Sequence, residues 1–442
     1  MTAQRKHVEA EHGSVCSMSQ DFFGYFGWPS VALMDDGTLV VAASGLRNDH
    51  MCPFGRTVIL SSTDQGQSWS MPRVINDTPL DDRDAGITNL GGRRLLVTWF
   101  TTDRRPDYAG HMAARMVSME PLRRQRWLAT TAVITQQDVD QYRGSWVRVS
   151  DDQGASWGRP VRVPVTAPHG CLRMRNGNLL YLGKIFATQE ELHHGCIAAA
   201  ISEDEGGTWR LLGSVPLAPG ITNSNCHEPH VVELPSGRLL GSIRGQNSGQ
   251  CNMAEAGYVP FSIFVTDSTD GGITWTPMRP LGFHGSPPHL VYHSSGAVVL
   301  TYGYRLQPFG QRVAISLDEG QTWDHDWVLR NDGADADLGY PATVELPDNS
   351  LFTVYYQKPK STNDQCALLW SRWRLPRCSV RGDEDLMLLH PLDGDSFASY
   401  DCVTLTAKRW LSTVALAHQV AESTFDRHDP CESTRAADLG GS

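Results

Sequence analysis

The sequence predicts an all-β fold: a six-bladed propeller of four-stranded antiparallel blades, each marked by a recurrent acidic turn. Two interleaved repeats predict it. The first is the pattern S-x-D-x-G-x-x-W, present five times as Ser62-Asp64-Gly66-Trp69, Ser150-Asp152-Gly154-Trp157, Ser202-Asp204-Gly206-Trp209, Ser268-Asp270-Gly272-Trp275 and Ser316-Asp318-Gly320-Trp323. The second is a strand–turn–strand unit present six times, centred on Gly37, Gly92, Gly177, Gly237, Gly296 and Asn349. Five of the six hairpins precede an acidic turn, so one repeat reads hairpin, strand, turn, strand, which is one propeller blade.

The acidic turn, or Asp box, has a local logic. The Asp carboxylate accepts backbone N–H groups across a tight loop, the Gly permits a positive φ, and the Trp packs on the blade. These residues specify architecture and are assigned no chemistry. In the hairpins, alternating apolar residues flank a Gly or Asn turn, as in VALMDDGTLVVAA and VVELPSGRLLGSI. The sixth hairpin, TVELPDNSLFTVYY, is followed by a strand-like ALLWSRWRL without a box.

Successive turn centres lie about 50 to 60 residues apart, except between Gly92 and Gly177. The excess falls at 103–144, a polar, arginine-rich and partly helical stretch that fits a lid, a rim loop, an interface element or a plain surface insertion. The expected propeller spans 14–376. Residues 377–442 carry no blade signature, and the composition of their final segment predicts disorder.

Composition bounds the partners. Forty-nine acidic residues against 38 basic ones give a net charge of −11, with no long basic run. A nucleic acid or an anionic membrane needs a concentrated positive footprint, so neither is expected. No stretch reaches the length of apolar residues that a membrane helix requires. The N-terminal MTAQRKHVEAEHG lacks the apolar core of a secretory signal, which predicts a cytoplasmic protein or a mature chain without its leader. The ten cysteines show no CxxC pair and no zinc spacing, so most are expected to be reduced, and no metal or cofactor is expected.

Propellers bind ligands in the central funnel, where the first strand of each blade begins. Nine residues before each turn centre stand Trp28, Arg83, Pro168, Glu228, Pro287 and Tyr340. Glu228 and Tyr340 therefore share a register and are expected to meet at the axis. A phenol is a poor nucleophile alone, but an adjacent carboxylate can take its proton.

The Asp boxes, the E-P-H-V-V-E-L-x-x-G-R-L-x-x-x-x-R segment and the G-Y-P…Y-Y segment resemble the exo-sialidase superfamily over nearly all of Ser14 to Leu375. The resemblance implies a retaining exo-glycosidase acting on a terminal sialic acid or related nonulosonic acid such as Kdn. In that family a Tyr/Glu pair forms the covalent glycosyl-enzyme, an Asp serves as acid/base, and three arginines grip the sugar carboxylate. Tyr340 is then the nucleophile and Glu228 its base. Arg244 and Arg312 are two of the arginines, and Asp49, in the loop after the first hairpin, is the acid/base, with His50, Asp82 and Asp84 as competitors. A sugar bearing a carboxylate on its anomeric carbon would repel a carboxylate nucleophile, and a Tyr nucleophile is the sialidases' exception to the two-carboxylate rule of glycosidases. Guanidinium forks are the natural partners of that carboxylate.

One departure stands out. Where the family carries F-R-I-P, this chain has Phe26-Gly27-Trp28-Pro29, so the first arginine is absent and Arg47 or Arg83 is expected to substitute. Arg83 belongs to the cluster Asp81-Asp82-Arg83-Asp84 at the funnel-facing start of blade two. That cluster fits glycerol-chain or amine recognition, or an alternative acid/base. Trp28 and Asp84 join Arg47 and Arg83 as expected sugar-facing residues. His169, His227, His230 and His289 are expected to line the blade starts without metal-ligand spacing. Two other readings stay open: a propeller hydrolase or lyase for another terminal acidic sugar, and a non-catalytic glycan-binding propeller.

Overall fold

The computed structural model describes residues 6–185, 195–249 and 251–376; the expected C-terminal tail lies outside the described residues. Six antiparallel sheets make six blades around one axis. Blade one is β2 (Tyr25–Leu33), β3 (Leu39–Arg47), β4 (Arg56–Ser62) and β5 (Arg73–Asn76), following β1 (Ala10–Cys16). Blade two is β6 (Asp81–Gly91), β7 (Arg94–Thr102), β8 (Gly144–Ser150) and β9 (Val161–Val163). In blade three the first strand is split into β10 (Val165–Thr166) and β11 (Leu172–Arg173), both paired with β12 (Leu179–Ile185), with β13 (Ile197–Ser202) and β14 (Arg210–Ser214) outside. Blade four is β15 (Cys226–Glu233), β16 (Leu239–Gly245), β17 (Ser262–Ser268) and β18 (Arg279–His284). Blade five is β19 (Pro288–Tyr292), β20 (Val298–Tyr304), β21 (Gly310–Ser316) and β22 (Asp324–Arg330). Blade six is β23 (Gly339–Glu345), β24 (Leu351–Gln357) and β25 (Ala367–Trp373), with β1 as its outermost strand.

The fourth strand of blade six comes from the other end of the propeller sequence. β1 pairs antiparallel with β25 from Ala10↔Trp373 to Cys16↔Leu368. The ring is thus closed by backbone hydrogen bonds, and the ladder continues where the sequence pattern of blade six ran out. The start expected at residue 14 falls inside this strand.

The Asp boxes end the third strands of blades one to five. In the first, Asp64 accepts from Ser68 N at 2.9 Å and Ser62 Oγ at 2.7 Å, while Gly66 N donates to Ser62 Oγ at 2.9 Å. Trp69 Nε1 donates to Gly66 O at 3.0 Å, pinning the indole across the turn. The same bonds recur at Asp152, Asp204, Asp270 and Asp318. Each box glycine closes on the blade before it. A Cβ at Gly66, Gly154, Gly206, Gly272 or Gly320 would meet Phe352, Ile59, Leu96, Leu180 or Leu240 respectively, each within 3 Å. The boxes therefore set blade-to-blade spacing, and the first box seals blade one onto blade six.

Residues of the expected insertion form four short helices between β7 and β8: α1 (Arg105–Ala109), α2 (Ala113–Ser118), α3 (Pro121–Ala132) and α4 (Gln136–Tyr142). Glu120 caps α3 through Leu122 N and Arg123 N, and Thr135 with Asp138 forms a capping box on α4. The buried face of the helices, Tyr108, Met112, Met116 and Trp127, packs on Met51 and Cys52 of the loop after β3. The insertion thus supports one wall above the funnel. No described helix is long and apolar enough to cross a membrane.

Ring closure leads to a test. A Cβ at Gly13 would stand 2.4 Å from the Trp370 indole. Gly13→Val is expected to overpack the β1–β25 seam and cost about 1–3 kcal/mol, read as a lower urea midpoint at unchanged slope. An unaltered midpoint would mean that β1 contributes little to closure.

Candidate active site

The funnel is built by a repeated backbone irregularity. Trp28, Asp84, His169, Glu228 and Tyr340 all adopt left-handed backbone, with φ of 52°, 51°, 79°, 46° and 51°. Four of them sit at register shifts in first strands: between Gly27 and Ser30, Arg83 and Gly86, His227 and His230, and Gly339 and Ala342. His169 occupies the gap between β10 and β11. Such bulges re-aim a side chain that a regular ladder would send into the sheet. Left-handed backbone is costly for residues with a Cβ and persists where surrounding packing over-determines it. At one of these points two backbones touch. A Cβ at Gly86 would meet Gly170 N at 2.0 Å, so blades two and three require glycine there.

The structure brings Glu228 and Tyr340 together. The Tyr340 hydroxyl donates to Glu228 Oε1. Arg244 Nη1 donates to Glu228 Oε2 at 2.7 Å and to the Tyr340 oxygen at 3.3 Å. Tyr340 is 5% exposed. Burial, with the Glu228 charge adding to it, holds its phenol well above the ordinary value, against the opposing pull of Arg244. The phenol therefore keeps its proton at neutral pH until that proton can pass to Glu228.

Blade two supplies a charged wall. Asp81 is fully buried among three guanidiniums: Arg47 Nη1 at 2.5 Å, Arg104 Nε at 3.1 Å and Arg83 Nη1 at 3.4 Å. Against the effect of burial, Arg47 above all, then Arg83 and Arg104, hold its carboxyl down to about 2. Asp82 accepts from Thr101 Oγ1 at 2.6 Å, Thr78 N at 2.9 Å and Asn76 Nδ2 at 3.0 Å, and burial pushes it up to about 7. Its partners lie within blades one and two, so its role is structural. Asp84 differs, because its Oδ1 is buried without a hydrogen-bond partner. Burial lifts its carboxyl to about 7, Arg83 opposes, and the charge of Glu228 adds to the rise.

Several sequence expectations change in the folded protein. Asp49 does not join the Tyr340–Glu228 pair; its carboxylate is claimed by Arg115 and Arg123 of the insertion. Arg47 is fully inaccessible and cannot meet a ligand. It grips Asp81 with both terminal nitrogens and donates to Ser44 Oγ, Asp49 O and His50 O. Arg312 lies on the third strand of blade five, where its guanidinium donates to the carbonyls of Gln311, Arg330 and Pro308. These bonds tie it into blade five.

The cation missed in the sequence is Arg305, just beyond β20. It is 8% exposed, its Nε and Nη2 are buried without a hydrogen-bond partner, and its guanidinium stands 5.9 Å from the Tyr340 ring centre. The signal was its place at the funnel end of a second strand, the place that Arg244 holds in blade four. Arg83 stands beside the position where the expected first arginine is absent. Its guanidinium lies 3.9 Å over the Trp28 ring, and its Nε has no hydrogen-bond partner. At Gly27 itself a Cβ would already meet the Tyr25 ring at 3.2 Å. Arg83, resting on Trp28, thus brings a guanidinium from the neighbouring blade.

Beneath Tyr340 three histidines meet at the axis. His230 and His289 stack at 4.0 Å, and His169 stands edge-on to them at 5.7 and 5.0 Å. Backbone N–H groups of Leu290 and Thr343 donate to Nδ1 of His230 and His289, so Nε2 carries the proton in each neutral ring. Burial lowers the basicity of all three. Among the described residues no group of His, Cys, Asp or Glu has the geometry to hold a metal ion.

The BNR repeat-like domain model matches residues 123–353. A sialidase of Clostridium perfringens is 24% identical over 286 residues, 58% of this chain and 62% of that protein, so the chain spans about three fifths of its length. Among solved structures, a Dyadobacter fermentans protein of unknown function superposes with a TM-score of 0.60 at 22% identity, covering 83% of this chain and 99% of that one. A Hadza microbial sialidase gives 0.56 at 17% identity, covering 82% and 68%. The Trypanosoma rangeli sialidase bound to the inhibitor DANA gives 0.53 at 16% identity, covering 82% and 59%.

The histidine cluster makes stability pH-dependent. Imidazoles held below their free value of 6.5 stay neutral in the fold but protonate in the unfolded chain. The cluster's contribution to stability is therefore full above pH 6.5 and falls as the solution becomes more acidic, by up to about 1.4 kcal/mol per pH unit for each buried ring, while Asp82 and Asp84, whose carboxyls are raised to about 7, act in the opposite sense. His169→Asn, which tolerates left-handed backbone, is expected to flatten that slope between pH 6.5 and 5 in urea unfolding. An unchanged slope would assign the acid sensitivity elsewhere.

With five Asp boxes, six blades, and a family model covering more than half of its length, the chain belongs to the BNR-repeat superfamily that includes the exo-sialidases.

Proposed function

We propose that the chain is a retaining exo-glycosidase that releases a terminal sialic acid, or a related nonulosonic acid such as Kdn, from a glycan. The observation that carries this reading is the Tyr340–Glu228–Arg244 contact at the funnel centre. A binding module has no need of an activated phenol. In the proposed reaction Tyr340 attacks the anomeric carbon as its proton passes to Glu228, and Arg244 steadies the charge that moves between them. Arg244, Arg305 and Arg83 form the positive side of the pocket and receive the sugar carboxylate. Asp84, half-protonated near neutral pH, can donate to or accept from a sugar hydroxyl, and Trp28 underlies the Arg83 side of the floor.

A second reading has its own support. The carboxylate cradle is rebuilt around Trp28 and Arg83 instead of an arginine at position 27, which favours a different terminal acidic sugar, cleaved by hydrolysis or elimination. Release of 4-methylumbelliferone from its α-glycosides of Neu5Ac and Kdn, beside uronic acid glycosides, separates the two. Turnover of uronosides alone would move the assignment to the second.

Tyr340→Phe is expected to lower kcat by at least about a thousandfold while retaining binding of DANA by calorimetry. Full activity in that variant would refute the mechanism. Arg305→Met is expected to raise KM by about 10- to 100-fold through loss of a charged hydrogen-bonding partner. Arg312→Met is expected instead to lower the unfolding midpoint. The opposite pattern would restore Arg312 to the pocket.

A further inference from the structure

We propose that the proton-transfer group over the funnel is His50, seated on Asp337, and not its neighbour Asp49; this rests on the glycosidase reading above. The Asp49 carboxylate is already neutralised by Arg115 and Arg123, and both come from the inserted helices. One residue on, the chain presents an imidazole built as acid/base pairs are built. His50 Nδ1 lies 2.9 Å from Asp337 Oδ1. Asp337 also accepts from the hydroxyls of Tyr25 and Tyr356, each at 3.1 Å. Against burial, His50 first, then Lys358 and Arg305, keep that carboxyl ionised.

A fixed carboxylate on Nδ1 leaves Nε2 as the atom where a proton arrives or departs. Nε2 has no hydrogen-bond partner among the described residues, and the ring is 26% exposed. The imidazole stands perpendicular to Trp28 at 5.0 Å, and Trp28 lies 6.3 Å from Tyr340, so His50 overlooks the reacting pair across one indole. Its loop is rigidly held. Arg47 Nη2 and Arg83 Nη1 both donate to the His50 carbonyl, at 3.0 and 2.8 Å. Asn48 is tied to Trp127 Nε1 at 3.0 Å and to Arg123 Nε at 2.6 Å. The insertion therefore diverts Asp49 and at the same time fixes the histidine beside it.

The steps balance as follows. Tyr340 oxygen bonds to the anomeric carbon and its proton goes to Glu228, while the bond to the aglycone oxygen breaks and that oxygen takes the proton from His50 Nε2. Water then attacks the same carbon and gives a proton to His50 Nε2, the Tyr340–carbon bond breaks, and Tyr340 recovers its proton from Glu228. The charged or titratable groups facing the ring are Asp337, Tyr25, Arg83 and Arg305. Burial lowers the basicity of the ring, and Asp337 partly restores it. Cleavage of an unactivated glycoside, which needs the protonated ring, is therefore expected to decline as the pH rises toward neutrality.

The test compares a lactosyl glycoside, whose leaving group needs a proton, with a 2,4-dinitrophenyl glycoside, whose leaving group does not. His50→Gln is expected to lose about 10²- to 10⁴-fold in kcat/KM on the lactosyl substrate, and under about tenfold on the activated one. Asp337→Asn, a positioning change, is expected to displace the pH limb on the lactosyl substrate. Asp49→Asn is expected to change both substrates by the same factor. A loss confined to the lactosyl substrate in Asp49→Asn, or equal losses on both in His50→Gln, would overturn the proposal. If His50→Gln fails to fold, the Asp49→Asn comparison still decides against Asp49 or for it. Failure of the wild-type chain to cleave even the activated glycoside would instead overturn the glycosidase reading on which the proposal rests.

Discussion

Everything in the funnel depends on one backbone constraint: at the axis, the first strands run out of room to be regular. Six strands converging on a line cannot all send alternate side chains into neighbouring blades. At five of the six, one residue turns left-handed instead and points its side chain at the centre. The cost of such a conformation, of order 1–3 kcal/mol per residue, is tolerable because the second and third strands hold each bulge from outside. The site residues are thus carried on the first strands of the blades, and regular elements of that kind suit chemistry that needs groups placed to within a fraction of an ångström.

Charge is the second organising element. Arg244 and Arg305 stand at Tyr340 and Arg83 lies over the neighbouring Trp28, and all three are mostly buried. Guanidiniums lose much hydration on burial and are stable there when matched by carboxylates, with Asp81 and Glu228 as the matching anions. Arg305 and Arg83 keep nitrogens without hydrogen-bond partners. Buried charges of this kind are screened less than charges at a surface. Asp84 and Asp82 absorb the imbalance differently, by rising toward neutrality.

What the sequence disclosed, and what it withheld, follows from the range of each interaction. The Asp boxes were legible because every bond in them spans at most a few residues. Glu228 and Tyr340 were legible because the distance from bulge to hairpin turn is the same in their blades. Arg305 was not, since it sits only seven residues before Arg312 and strand pairing alone tells the second strand from the third. The diversion of Asp49 was also hidden, because its partners stand 66 and 74 residues away on an insertion without a repeat. The strand β1 was hidden for the same reason. Its polar alternation has meaning only against β25, where His12 meets Ser371 across 359 residues.

That last pairing bears on how the protein is made. In a chain made N-terminus first, β1 is synthesised before any of the blades, yet it has no partner until the final strand of blade six has been made. Until then it is an unpaired edge, and the blades form an open arc without a finished funnel. Contacts of this sequence separation are entropically late. Blades can form in order as units, but Tyr340, in the sixth blade, reaches Glu228 only after the five blades before it have been made. The partly made chain is thus a set of folded blades without a pocket, and the candidate chemistry comes into being in a single late step, with the closing of the ring.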